Sequence, residues 1–231
     1  MNKITLTLLL FLSCLFAGHA QVSIGDGTNQ EQPLPIEPYY GYSYTQSIYL
    51  ASEINATGSI TTLQWYYSGN SMLNNSQNMV LYFGLTDKTE FESETDFIAI
   101  EDLTQVYSGG IPANGAPGWV TITLPTPYSY DGSANLVIAV DESKPGYDSY
   151  DDDFYNSAVV GQRSIFAFSD TVNFDPADPT NDGGSFAGRG TANYVPNIIL
   201  GGIQQACPNP SAITYSNVTI EGATVTWTAV T

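Results

Sequence analysis

Apolar positions in this chain fall into short runs between turn residues, and most of the runs repeat with period two. They occupy residues 47–51, 60–67, 79–85, 105–107, 119–124, 136–140, 163–168 and 195–200. Trp119-Val120-Thr121-Ile122-Thr123-Leu124 largely alternates, as expected of a strand with one wet face. Leu136-Val137-Ile138-Ala139-Val140 is instead almost wholly apolar, rich in β-branched residues and too short for an ordinary helix. That pattern predicts a strand buried on both faces. Between the runs stand Ser68-Gly69-Asn70, Gly109-Gly110, Asn114-Gly115-Ala116-Pro117-Gly118 and Asp131-Gly132, all turn chemistry. Sustained helical periodicity is absent, and residues 86–95 are the one stretch with room for a helical turn. The expectation is all-β: a two-sheet β-sandwich, jelly-roll-like, over residues 21–203.

The start of the chain follows a different pattern. Lys3 precedes a mainly apolar stretch over residues 4–16, and Ala17-Gly18-His19-Ala20 supplies small residues at the last and third-last positions of a cleavable signal. Residues 1–20 therefore read as a signal peptide, and the product as secreted or at the cell surface, without membrane insertion after cleavage. Acylation at Cys14 is the weaker alternative, because Phe11-Leu12-Ser13 matches a lipoprotein site poorly. Cleavage removes the only histidine, His19, and leaves Cys207 as the only cysteine, so no intramolecular disulfide can form. Such a domain depends on its core, and roughly 180 residues suffice for one. The formal net charge of the chain is −18, with 23 acidic residues. So acidic a surface repels nucleic acid and anionic lipid, and it favours cations.

These residues exclude most catalysis. Without histidine a serine or cysteine nucleophile lacks its usual base, and zinc or iron lacks imidazole and paired thiolates. Lys88 and Lys144 stand outside any Ser-x-x-Lys setting. Only a carboxylate pair of glycosidase type stays chemically open, so the chain is expected not to be an enzyme. The loop after residues 136–140 is densely acidic, and Asp148, Asp151 and Asp153, with Asp141 at the strand end, are candidate ligands for a structural calcium ion. Their spacing is not that of an EF-hand. The competing reading is a solvated loop anchored by Arg163. Residues 175–184 repeat the acidic, turn-rich character more weakly. Tyr40, Tyr42 and Tyr44 fall on one face of an extended chain, and Trp65 shares a face with Tyr67. Tyr40, Tyr42, Tyr44 and Trp65 are candidates to stack on sugar rings; the alternative is that they fill the core.

A composition shift comes near Gly201-Gly202. Cys207-Pro208-Asn209-Pro210, Ala212-Ile213-Thr214, Val218-Thr219-Ile220 and Ala223-Thr224-Val225-Thr226-Trp227 resemble the opening of a fibronectin type III domain, with Trp227 as its core tryptophan. Residues 204–231 then comprise a linker and a fragment of a second, immunoglobulin-like β-sandwich. Two strands are not stable alone, so the chain is expected to be a piece of a longer modular protein. Leu34-Pro35-Ile36, Tyr40-Gly41-Tyr42-Ser43-Tyr44, Gln46, Ile48-Tyr49, residues 135–142, Pro145-Gly146-Tyr147, Arg163-Ser164-Ile165 and Pro196-Asn197-Ile198 form further blocks. They resemble the N-terminal sandwich of large bacterial surface and secreted proteins that continue into such repeats. The resemblance implies a non-catalytic adhesion or ligand-binding module for an extracellular carbohydrate or protein surface. The alternatives are an accessory domain of a secreted hydrolase, with its catalytic part outside this chain, and a structural spacer without a ligand.

Overall fold

The computed structural model describes residues 21–181, 183, 188–205, 211–219 and 222–228. Its strands are β1 (Gln21–Ile24), β2 (Tyr42–Tyr49), β3 (Ala56–Tyr67), β4 (Met79–Thr86), β5 (Leu103–Gly109), β6 (Gly118–Tyr130) and β7 (Asn135–Glu142). There follow β8 (Asn156–Ala158), β9 (Ser164–Ser169), β10 (Gly188–Ala192), β11 (Tyr194–Pro196), β12 (Ile198–Gln205), β13 (Ser211–Thr219) and β14 (Gly222–Thr228). A single-turn helix, α1 (Ala51–Ile54), links β2 to β3, and a 3-10 turn at Ile100–Asp102 precedes β5. One sheet has the order β1-β12-β3-β6 and the other β10-β9-β2-β7-β4-β5. Set β1-β12-β3-β6 against β2-β7-β4-β5 and the order is that of an eight-stranded jelly roll. Strands β9 and β10 widen the second sheet beyond β2, and a small β8–β11 pair is inserted ahead of β12. The expected all-β, two-sheet sandwich is the fold. After the sandwich, β13 and β14 pair as a separate two-stranded antiparallel hairpin. The expectations for residues 1–20, for Cys207 and for the Trp227 side chain lie outside the described residues.

Strand alternation builds the core between the sheets. Leu63, Trp65 and Tyr67 of β3, Val120, Ile122 and Leu124 of β6, and Leu200 of β12 meet Met79, Leu81 and Phe83 of β4 and Leu136, Ile138 and Val140 of β7. On β6 the buried set alternates with exposed Trp119, Thr121 and Thr123, the one wet face that the pattern predicts. A register shift near Ile60–Thr62, opposite another at Gly201–Ile203, moves the inward set of β3 from Ile60 to Leu63. Gly202 makes this bulge possible: its φ is +92°, and a Cβ there would meet the Ser59 carbonyl at 2.3 Å.

The six-stranded sheet is covered on its outer face too, by loops rather than by a third sheet. Ile48, Val137 and Ile165 pack with Phe91 and Ile98 of the β4–β5 loop. Tyr44, Ala139 and Ala167 pack with Phe174 of the β9–β10 loop. Strand β7 is thus buried on both faces. Gln46 fixes the first of these loops: its Nε2 donates to the Ile98 carbonyl and its Oε1 accepts the Ile98 N–H, both at 2.8 Å. Residues 86–95 hold no helical turn; Lys88 and Asp96 close that loop with an ion pair at 2.8 Å.

Candidate functional site

Three elements converge beside the start of β2. The first is the turn at Pro38-Tyr39-Tyr40-Gly41, the second the acidic β7–β8 loop over residues 143–155, and the third the segment at Gln30-Glu31 with Glu37. Hydrogen bonds from structural aspartates hold them. Asp148 donates its N–H to the Pro38 carbonyl at 2.8 Å, while its carboxylate accepts the Asn75 N–H and, at 3.0 Å, the Ser76 hydroxyl. Asp152 is buried and accepts the Tyr67 hydroxyl at 2.6 Å, the Asn70 and Ser71 N–H groups at 3.1 Å, and the Ser149 N–H at 3.0 Å. Burial pushes the Asp152 carboxyl up, but bonds from Ser71, Tyr67, Ser149 and Asn70 outweigh it and hold the pKa below the usual range. On the other side of the turn, Gly41 donates its N–H to Asp170 at 3.3 Å.

This frame presents two features. One is a cleft of about 420 Å³ lined by Gln30, Glu31, Glu37, Tyr150, Asp151 and Asp153. Burial, and then Glu37, Asp151 and Asp152, raise the Asp153 carboxyl to about 7. Burial also raises Glu37, against a backbone hydrogen bond from Tyr39. The other is a chain of aromatic rings. Phe166 stacks on Phe168 at 6.0 Å, Phe168 meets Tyr40 at 4.4 Å, Tyr40 meets Tyr39 at 5.8 Å, and Tyr39 meets Tyr150 at 5.5 Å and Tyr147 at 5.9 Å. Tyr39, Tyr147 and Tyr150 are 43%, 64% and 75% exposed, an unusual concentration of phenol rings in solvent. Phe166 and Phe168 lie opposite Gly190 and Gly188 of β10. A Cβ on Gly188 would stand 2.2 Å from the Phe168 ring, so the glycines make room for the aromatic row.

The residues singled out from the sequence are distributed differently. Trp65 is fully buried in the core against Phe154, so its ring is not available to a surface ligand. Tyr44 is also fully buried, packed against Phe97 under the outer loops. Tyr42 opens β2 and is half-buried. Tyr40 precedes the strand and leans on Phe168, so the three tyrosines do not form one row; of them only Tyr40 joins the exposed ring chain. Of the four aspartates, Asp151 and Asp153 line the cleft, Asp148 is used in tying loops, and Asp141 is buried on the outer face of the six-stranded sheet. No three acidic, histidine or cysteine residues converge as a metal donor set among the described residues. Arg163 does not anchor the acidic loop; its Nη1 and Nη2 grip Glu53 of α1 at 3.0 and 2.6 Å, and its Nε donates to the Ile48 carbonyl at 2.8 Å.

Tyr39, Tyr147, Tyr150, Glu31 and Glu37 escaped the sequence reading because none belongs to an alternating strand. The available signal was aromatic residues in loops, Tyr147 and Tyr150 interleaved with Asp148 and Asp151, where no strand pairing accounts for them. Fold and site together describe a jelly-roll β-sandwich with an aromatic surface beside a carboxylate cleft. No family model matches the chain, and no curated protein matches it either. Among the described residues no helix is long and apolar enough to cross a membrane.

Proposed function

We propose that this chain is a non-catalytic extracellular binding module that takes a carbohydrate on the Tyr39–Tyr147–Tyr150 surface. The observation that carries this reading is the run of rings ending in three exposed tyrosines next to the Glu37–Asp153 cleft. A sugar ring offers one apolar face and a rim of hydroxyls. Phenol rings suit the face, and carboxylates with the Gln30 amide suit the hydroxyls. The hydrophobic segment and small-residue motif over residues 1–20 support an extracellular setting, and the β13–β14 hairpin supports a second β-rich unit after the sandwich.

Glycan-array binding by the purified full chain tests the proposal. Tyr39→Ala, Tyr147→Ala and Tyr150→Ala are each expected to weaken binding about tenfold, close to 1.4 kcal/mol, with the thermal midpoint unchanged. Tyr66, Tyr155 and the 39%-exposed Trp119 form a second aromatic group on the four-stranded sheet, with ring separations of 4.8 and 5.4 Å. Binding that survives the three tyrosine substitutions and disappears in Trp119→Ala overturns the assignment. A chain that binds no glycan at all overturns the carbohydrate reading.

A further inference from the structure

The cleft beside the tyrosine surface carries more negative charge than the fold itself uses. Glu31, Glu37, Asp151 and Asp153 line it together with Gln30 and Tyr150. Among the described residues the carboxylates of Glu31, Asp151 and Asp153 accept no hydrogen bond, and Glu37 accepts one, from the Tyr39 N–H at 3.2 Å. Asp148 and Asp152 of the same loop are the contrast, since each is held by several neighbouring donors. No cation of the described chain lines the cleft either. Lys88 pairs with Asp96, Arg163 pairs with Glu53, Arg189 donates to the Thr180 carbonyl and Lys144 to the Asn74 carbonyl. Burial, then Glu37, Asp151 and Asp152, hold the Asp153 carboxyl up to about 7, so a proton partly supplies the counter-charge that the chain does not. Tyr150 belongs to both features: it lines the cleft, and its ring meets Tyr39 at 5.5 Å.

We propose that the sugar bound on Tyr39, Tyr147 and Tyr150 is an amino sugar with a free amine, whose ammonium enters the cleft among Glu37, Asp151 and Asp153. The inference rests on the carbohydrate reading above and adds the charge of the ligand. Ionised carboxylates only accept hydrogen bonds, and an ammonium offers them three donors and the opposite charge. A hydroxyl offers one donor and leaves the charge of the cleft unanswered. The face of the Tyr150 ring attracts the same cation through its quadrupole. Burial around Asp153 strengthens the contact, because charges away from bulk water are screened less than those at a rim. On binding, Asp153 releases its proton to solvent and the ammonium takes over as counter-charge. An acetylated amine is neutral and bulkier, and it brings a carbonyl acceptor toward oxygens that are acceptors themselves. Glycans bearing carboxylates or sulfates meet like charge and are rejected.

The test is calorimetric titration of the purified full chain with two oligomers of one backbone, a glucosamine hexamer and its fully N-acetylated counterpart, in mildly acidic buffer that keeps the amines protonated. The free-amine oligomer is expected to bind about tenfold tighter or more. Glu37→Gln and Asp153→Asn should each remove most of that preference while the acetylated oligomer binds as before. Tyr147→Ala, outside the cleft, should weaken both oligomers alike and keep their ratio. A pentalysine peptide is cationic but has no sugar face, so it controls for general attraction to a chain of net charge −18 and should bind far more weakly. If Asp153→Asn folds poorly, the exposed Asp151→Asn gives the same reading. Equal affinity for the two oligomers overturns the inference and leaves the carbohydrate reading standing. So does a preference that persists in the cleft variants, or pentalysine binding that matches the amine oligomer. Failure of both oligomers to bind overturns the inference as well, and the glycan array then decides the wider reading by itself.

Discussion

At the scale of single residues, neighbours in sequence have opposite roles. Trp65 and Tyr67 are in the core, while Tyr66 between them turns outward to Tyr155. Trp65→Ala would empty a fully buried site and is expected to cost about 3–5 kcal/mol by urea unfolding. Any ligand binding it loses should therefore track the unfolded fraction. Tyr150→Ala, at a ring 75% exposed, should leave the unfolding midpoint in place, so the pair separates packing from recognition. Among the adjacent aspartates the same division holds. Asp151 is exposed, Asp152 is buried under four donors and Asp153 lines the cleft. Asp152→Ala leaves the Tyr67 hydroxyl and three N–H groups short of their acceptor. An expected loss of about 1–3 kcal/mol would appear as a lower urea midpoint with an unchanged slope.

At the scale of elements, the outer loops explain why the sheet needs no third layer. Gln46 is a fully buried amide on β2 that reads the Ile98 backbone with both of its polar atoms. Gln46→Ala removes both bonds and a third, from Nε2 to the Tyr44 hydroxyl at 3.0 Å, about 3 kcal/mol in total. Amide exchange is expected to accelerate over residues 87–102 while β3 and β12 keep their protection; uniform acceleration would argue instead for global destabilisation. The run at residues 136–140 was legible because five apolar residues in a row have no wet face to serve. The alternation of β6 was legible for the converse reason. Strands β1, β8 and β10 left little trace, because each is three to five residues long and is defined by its partner rather than by its own pattern. Gly188-Arg189-Gly190 in β10 reads as a loop, yet Phe168 and Phe166 on the paired strand use those glycines as floor. The aromatic surface was illegible for a related reason. Tyr39 and Tyr150 are far apart in sequence and meet only because Asp148 ties residue 38 to the acidic loop.

At the scale of the whole molecule, the dominant fact is charge. A formal net charge of −18 favours solubility and works against compactness by self-repulsion. Several carboxyls escape this by holding protons. Burial, then Asp175, raises Asp141 to about 7; burial and neighbouring acids, against the Lys144 N–H, raise Glu142 to about 8; Asp153 stands at about 7. Their ordinary values are 3.8 and 4.5, so between those values and about 7–8 the folded protein holds more protons than the unfolded chain. The slope of stability against pH is then negative: the contribution is whole below the unfolded values and is lost as pH rises through the folded ones. Glu53 acts in the opposite sense. Its Arg163 partner lowers its pKa, and its contribution disappears only as pH falls below the ordinary carboxylate range. The thermal midpoint is therefore expected to be higher at about pH 5 than at about pH 8. Surface repulsion has the same sign but is screened by salt, whereas the buried groups are screened far less. A difference that persists in high salt and narrows in Asp153→Asn, through a raised midpoint at the alkaline end alone, assigns it to the buried carboxyls. A midpoint equal or higher at the alkaline end would mean that these carboxyls ionise in the folded protein as easily as they do in water.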